Sequence, residues 1–375
     1  MPSMPLLWQH CCKSASARDN GPVNRTDPGA NLAALRDHNT AVVLGLLRCA
    51  GPAGASRSEL AARAGLTPQA VSKITGRLRD AGLAAEAGRR ASTGGKPATA
   101  LCLVPGAAHA VGVHLDRDAL TVTLVDLTGT ETATRTAPLD FGAGAEAVLD
   151  AVAGAVSALL ADHATGDVLG AGVAVPGPLD HRSGVLHRVT GFPRWDGFPL
   201  RDALGERLGL PVVVDKDTNA AALGLALRAP RATGSFAYLH LGTGLGAGLV
   251  LDGGVHRGPR TGAGEFGHQV VMVDGPQCAC GDRGCLEALC LAAVAEGDTT
   301  RAARLLGVGA LNLVRLLDID GVLLGGGVVL ARPTAFVDGV RDALGGAVPV
   351  DVAPEGARVV VGGAAELVLA PLFGA

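Results

Sequence analysis

The chain has 375 residues, is 48% hydrophobic and carries a net charge of −3, enough length and apolarity to bury large cores in two or more domains. Apolar runs such as Val322 to Leu330 are short and glycine-broken, below the roughly 20 residues of a membrane span, so no transmembrane helix is expected. The first residues lack a basic segment followed by an apolar core, which leaves the cytoplasm as the expected compartment.

The charge is uneven along the chain. Residues 1–100 hold 13 Lys+Arg against 6 Asp+Glu, a net +7, which leaves 19 against 29 over the remainder. A basic front on an acidic body fits an anionic partner at the N-terminal end, nucleic acid foremost, or a solvated basic face. Residues 1–29 mix Pro, Asn, Gly, Asp and Ser without apolar periodicity and read as a flexible tail. From Asn31 onward, Leu32, Leu35, Val42, Val43, Leu46 and Leu47 recur at helical intervals and predict a helix ending near Gly51. Ser56 can cap a second helix, Arg57 to Ala64, that Gly65 ends. Thr67 caps a third, Pro68 to Ala81, with proline at its first position.

Helix, a turn at Ala64-Gly65-Leu66, then helix is a helix-turn-helix pattern. Its second helix would present Gln69, Ser72 and Lys73 to the bases of a major groove, with Arg77 nearer a phosphate and Val71, Ile74 and Leu78 facing inward. After Gly82 the segment LAAEAGRRASTGGKPATALCLV alternates around a basic, Gly-rich tip. This reads as a two-stranded wing whose Arg89, Arg90 and Lys96 would touch backbone phosphate or the minor groove. A three-helix protein-interaction module is the alternative, and the basic wing argues against it. Residues 30–104 are thus a winged helix-turn-helix that would bind duplex operator DNA.

From Ala110 the reading is α/β. Strand-like runs at Val111 to His114, Thr121 to Val125, Val168 to Val175, Val212 to Asp215, Phe236 to Leu241, Gly246 to Leu251 and Gly321 to Leu324 alternate with helical stretches, including Ala145 to Leu160 and Ala302 to Leu317. That alternation implies sheets with helices on their faces over residues 105–375.

The stretch from Gly264 to Leu289, GEFGHQVVMVDGPQCACGDRGCLEAL, gathers most of the chemistry. His268, Cys278, Cys280 and Cys285 supply one imidazole and three thiolates, donors that a tetrahedral Zn²⁺ prefers. Four protein ligands leave no open position, so such a zinc would be structural. Gly281 and Gly284 let the chain turn back, and the bland alternative is that these cysteines are small buried hydrophobes. Of the eight cysteines, Cys290 lies beside this group, and the remaining four, Cys11, Cys12, Cys49 and Cys102, show no disulfide framework.

GEFGH followed by CACGDRGCLE resembles, in residue type and spacing, the signature of the ROK family, which groups sugar kinases with sugar-responsive repressors. The segment from NTAVVLGLLR to GGKPATALCL likewise resembles the winged-helix domain that precedes the ROK domain in the family's repressors. The resemblance implies two lobes of the actin-like ATPase (ribonuclease H-like) fold with a cleft between them. It implies that Glu265 and Glu287 bind sugar hydroxyls and that His268 ligates zinc through one ring nitrogen while the other faces the sugar. Carboxylates accept strong, directional hydrogen bonds from hydroxyls, and the metal would fix the loop that carries both acids.

Family kinases carry a D-x-G-G-T phosphate loop in the first hairpin. An ungapped alignment puts His114 at the Asp and Asp116-Arg117-Asp118 at Gly-Gly-Thr, so two carboxylates would stand against a polyphosphate. At 4 Å each such contact costs on the order of 4 kcal/mol at an effective dielectric near 20. The loop from Leu241 to Gly248 and the turn Gly325-Gly326-Gly327 keep the family form, although glycines there also serve hairpin geometry. Pro176-Gly177-Pro178 resembles the sugar-cleft loop, which puts Gly177 in the sugar site. Asp215 to Asn219, DKDTN, lies where kinases carry E-N-D-A-N, which places Asp217 at the catalytic-base position. Lys216 replaces a sugar-contacting asparagine; it either faces the ligand, favouring an anionic or phosphorylated sugar, or points to solvent.

The reading is a sugar-responsive transcriptional regulator without kinase activity, binding as a homodimer or dimer of dimers to a palindromic operator. The alternatives are a sugar kinase with an appended DNA-binding domain and a regulator whose input is a partner protein.

Overall fold

The apolar spacing of residues 38–103 resolves into three short helices and a small sheet. The structure, a computed structural model, describes residues 38–89, 99–189, 191–228 and 234–374. Helices α1 (His38–Ala50), α2 (Arg57–Ala64) and α3 (Pro68–Asp80) bury Leu44, Leu47, Leu60, Val71, Ile74 and Leu78 against one another. The Ser56 side chain accepts from Glu59 N and the Glu59 carboxylate accepts from Ser56 N, a reciprocal cap that fixes the start of α2. Gly65, at φ 65°, ends α2, and the Thr67 hydroxyl accepts from Ala70 N to start α3. Strands β1 (Ala55–Ser56), β2 (Ala84–Arg89) and β3 (Thr99–Leu103) form a sheet in the order β1-β3-β2. Helix-turn-helix plus antiparallel wing is the winged fold the spacing predicts. Arg90 and Lys96, the tail at 1–29 and the expected helical turn at Leu32 and Leu35 lie outside the described residues, so α1 is described from His38 rather than Asn31.

The first lobe is a mixed sheet of β4 (Ala108–Leu115), β5 (Ala119–Asp126), β6 (Glu131–Pro138), β7 (Asp167–Val175) and, beyond a small hairpin of β8 (Leu179–Asp180) and β9 (Val185–Leu186), β10 (Val212–Lys216). Their order is β10-β7-β4-β5-β6. One face packs on α4 (Ala145–His163) and α5 (Leu200–Leu208) through Val111, Val113, Leu124, Val152 and Leu204. The next element, α6 (Asp217–Arg228), leads to the second lobe, where β11 (Phe236–Leu241), β12 (Leu245–Leu251), β13 (Gly254–Val255), β14 (Gly321–Gly325) and β15 (Val350–Val352) pair in the order β13-β12-β11-β14-β15. Its core is shared with α7 (Leu286–Ala295), α8 (Thr299–Leu317) and α10 (Pro333–Leu344), the short α9 (Gly327–Ala331) lying between.

The lobes meet through two helices. α11 (Val359–Leu369) lies on the first sheet and α6 on the second, and the two pack on each other. The close approach needs glycine at both contacts: a Cβ at Gly172 of β7 would collide with the Ala364 carbonyl of α11, and one at Gly363 of α11 with the Ala220 carbonyl of α6. Gly356–Phe373, which contains α11, is long and apolar enough by length and composition to cross a membrane, contrary to the expectation that no run is. It is 61% buried between the sheets, with Glu366 fully enclosed in it, which is the setting of a core helix.

Candidate functional site

A cleft opens where the C-terminal ends of β4 and β10 in the first lobe face the β11–β12 turn and the segment after Gly264 in the second. It is lined by Asp116, Arg117, Gly177, Lys216, Asp217, Thr243, Glu265, His268 and Glu287, among others. The sequence-predicted residues Gly177, Lys216, Asp217, Glu265, His268 and Glu287, spread over more than a hundred positions, therefore converge on one space. Ligand sites of α/β proteins form in such crevices beyond strand ends.

Asp217 opens α6, where the helix N-terminus favours a carboxylate, and its Oδ1 accepts from Thr218 N at 2.6 Å. The preceding turn is held by a residue that sequence reasoning gave no role. Asp215 is buried, and it accepts from Lys216 N (2.8 Å), Asn219 Nδ2 (2.9 Å) and Arg257 Nε (2.6 Å). Arg257 comes from the second lobe, so the junction that aims Asp217 is tied across the cleft. Beside it, His181 Nδ1 lies 2.7 Å from the hydroxyl of buried Thr261. Burial pushes the His181 imidazole below its ordinary pKa although Asp215 pulls it up.

Lys216 does not point to solvent. Its side chain is 4% exposed and Nζ donates to the Ala263 carbonyl (2.6 Å) and to Glu265 Oε1 (3.0 Å). A Cβ at Gly177 would lie 2.7 Å from Lys216 Cδ, so glycine there lets the lysine stem pass. Glu287 is buried, and its Oε2 accepts from Leu245 N at 2.8 Å, which fixes the carboxylate against the β11–β12 turn.

His268, Cys278, Cys280 and Cys285 bring their donor atoms within 4.8 Å of one another. Cys280 Sγ and Cys285 Sγ are 3.7 Å apart, as are Cys278 Sγ and His268 Nδ1. A tetrahedral ion with metal–sulfur distances of about 2.3 Å has edges of about 3.8 Å, so the donor set fits a metal in both chemistry and spacing. Without a cation, burial and the neighbouring thiols push the Cys285 thiol up to about 12, a penalty that a divalent ion reverses. The chain turns at Gly281 (φ 107°) and Gly284 (φ 71°), and a Cβ at Gly284 would strike the Met272 carbonyl. The cluster can hold a metal ion, and His268, which lines the cleft, belongs to both features.

The first hairpin departs from expectation in one respect. Asp116 and Arg117 line the cleft, but Asp118 is exposed and outside it, so one carboxylate rather than two faces the space a polyphosphate would take. The Thr243 hydroxyl reaches Asp116 Oδ1 across the cleft at 3.4 Å. Burial holds the His114 imidazole below its ordinary pKa against the pull of Asp217 and Asp116. The glycines that keep the family form have packing reasons: a Cβ at Gly248 would meet the Thr218 carbonyl, and one at Gly326 the Leu241 backbone.

On α3, Gln69, Ser72 and Lys73 are exposed on the face away from buried Val71, Ile74 and Leu78. Arg77 is exposed too, but its Nη2 donates to the Thr40 hydroxyl of α1 at 3.2 Å, so its guanidinium braces the fold. Arg89 ends β2.

A family model described as "ROK family" matches residues 110–296. A xylose repressor of Caldicellulosiruptor bescii is 30% identical over 62% of this chain and 59% of its own length. The chain thus spans about three fifths of that relative. Among solved structures, a ROK family transcriptional regulator described as a homolog of the E. coli MLC protein superposes with TM-score 0.74 over 90% of this chain and 98% of that one, at 22% identity. This match takes in the winged helix as well as the lobes and supports the fold. A ROK hexokinase from Thermus thermophilus is 33% identical over 68% of this chain and 96% of its own, with TM-score 0.58. The His/Cys₃ knuckle formed by residues 264–289, the two lobes and these matches agree: the chain belongs to the ROK family.

Proposed function

We propose that the chain is a sugar-responsive DNA-binding transcriptional regulator, a repressor of carbohydrate genes, with residues 30–104 binding duplex operator DNA and residues 105–375 sensing a sugar. The observation that carries this reading is the union in one chain of an exposed, polar α3 face with a cleft that gathers Asp217, Glu265 and Glu287 beside a His/Cys₃ cluster. The relative named a xylose repressor and the solved structure named a transcriptional regulator support it.

In this reading Asp217, Glu265 and Glu287 accept hydrogen bonds from sugar hydroxyls, and Gly177 leaves room for the ring. A zinc ion held by His268, Cys278, Cys280 and Cys285 would serve as a structural clamp on the 264–289 segment. Lys216 is paired with Glu265, which among the described lining residues leaves Arg117 to meet an anionic or phosphorylated sugar, against Asp116, Asp217 and Glu287, so the lining suits a neutral sugar better. Gln69, Ser72 and Lys73 read bases, while Arg89, Arg90 and Lys96 of the wing meet phosphate. A homodimer or dimer of dimers matches a palindromic operator.

Ligand-dependent DNA retention tests the assignment. Gln69→Ala or Lys73→Ala should weaken the selected operator by roughly 1–3 kcal/mol and relax base preference. Binding with an unchanged affinity and sequence preference in both variants would remove α3 from the interface.

The kinase reading is favoured by one observation, the placement of Asp217 at the mouth of the β11–β12 turn. It is opposed by Asp116 in the phosphate space. Sugar-dependent ATP consumption by the purified protein would establish it.

A further inference from the structure

α1 rests on the body through an apolar seam that includes Leu372 and Phe373 and through the side chain of Arg48. That guanidinium sits in a built receptor. Nη1 and Nη2 donate to the two carboxylate oxygens of Glu366 at 3.0 and 2.5 Å, and Nε donates to the Thr128 carbonyl at 2.9 Å. Its central carbon lies 4.7 Å from the centre of the Phe373 ring. A Cβ at Gly129 would collide with Arg48, and Asp126 Oδ1 shapes the turn by accepting from Thr128 N and Thr130 N. The receptor therefore admits an arginine and little else.

Glu366 has a second claimant. It is fully buried on α11, and Arg228 Nη2 approaches its Oε1 at 3.5 Å. Arg228 is the last residue of α6, whose first residue is Asp217 in the cleft. A helix of that length is a rod of about 18 Å, so motion at one end is delivered to the other. Where α6 crosses α11, Gly224 meets Gly363 and the two backbones are in direct contact, so a shift of α6 is felt by α11.

We propose that Glu366 is a switch contact, shared between Arg228, which moves with the cleft, and Arg48, which carries the N-terminal unit. A ligand at Asp217 then reaches α1 as a change in how two guanidiniums divide one carboxylate. This rests on the reading of the cleft as a ligand site. A buried carboxylate must keep a counter-ion, and like charges converging on it weaken each other's hold. Arg228 also has an alternative partner, Glu355 at 2.5 Å. That contact is made by Nη1 while Nη2 faces Glu366, so Arg228 can withdraw from Glu366 and stay paired. When Arg228 withdraws, Arg48 becomes the sole counter-ion and α1 is gripped harder.

Hydrogen exchange on the full-length protein tests this without DNA. Arg228→Gln should slow exchange of the α1 amides by about tenfold, the equivalent of one charge-assisted hydrogen bond, and Arg228→Lys should restore the wild-type rate. Arg48→Gln and Glu366→Gln should both speed it; Arg48→Gln serves should the buried Glu366→Gln protein fail to fold. A merely structural Arg228 would make α1 exchange faster or leave it unchanged on substitution, and either result overturns the switch. With D-xylose, D-glucose and their phosphates as probes, protection of residues 264–289 without any change in α1 also overturns it. No protection at 264–289 by any probe counts against the sugar reading of the cleft, and the Arg228→Gln result still decides the switch.

Discussion

The two walls of the cleft differ in how their charged groups are held. On one wall Asp217, Glu265 and Glu287 are each fixed from behind, by Thr218 N, by Lys216 Nζ and by Leu245 N, and His268 is shared with the cysteine cluster. On the other, Asp116 and Arg117 sit on a hairpin turn, with Asp116 supported by Arg117 N and, at 3.4 Å, by Thr243. A binding site must be rigid before its ligand arrives, because ordering it afterwards costs affinity. The first wall holds three carboxylates in this way, whereas the second holds one, Asp116, by the same kind of backbone contact that holds Asp217.

The largest expected effect breaks the first wall at its base. Cys285→Ser, or removal of metal by a chelator, should cost more than about 4 kcal/mol, and at about 2–4 °C per kcal/mol for domains of this size the fall in Tm is on the order of 10 °C. Elemental analysis should find one zinc per chain in the wild type. Metal-free protein with an undiminished Tm would detach the cluster from the stability of the cleft.

The second wall is tested by Asp116→Gly. Removing the carboxylate from the phosphate space should raise affinity for ATP by between about 1 kcal/mol, where water screens the contact, and about 4 kcal/mol at an effective dielectric near 20. Titration calorimetry with Mg-ATP reads this directly. No gain would mean that the missing glycine pair, rather than the charge, keeps nucleotide out.

Next come Asp217→Asn and Glu265→Gln, each of which should weaken the effector sugar by about 1.5–3 kcal/mol, the range for hydrogen bonds to charged groups. DNA affinity without ligand should be unchanged, because neither residue lies on α3. Wild-type sugar affinity in both variants would place the effector elsewhere.

These contrasts explain how far the sequence could be read. The strands β4, β5, β7 and β11 were legible because buried apolar residues alternate or run together in them. The edge strand β6, ETATRTAP, was not, since its residues are exposed or half-buried and carry no apolar period. The knuckle was legible because its four donors lie within eighteen residues of one another in a tight spacing. The direction of Lys216 was not, because it depends on the absent side chain of Gly177 and on Glu265, 49 residues away. Arg48 and Glu366 stand 318 residues apart, and nothing local in either segment announces their pairing. Asp118 was expected beside Asp116, and hairpin alternation instead turns it outward.

The smallest expected effect is a titration on the second wall. His114 is the last residue but one of β4, two residues before Asp116. Burial lowers its pKa below the ordinary 6.5, against the attraction of Asp217 and Asp116. Below pH 6.5 the unfolded chain therefore binds a proton that the folded chain resists, so stability is complete above that pH and declines as pH falls toward the folded value. His114→Gln removes the titrating group, and thermal unfolding followed from pH 7.5 down to 5.5 should show a shallower decline in the variant than in the wild type. Equal slopes would mean that His114 is protonated in the folded protein as readily as in the unfolded one.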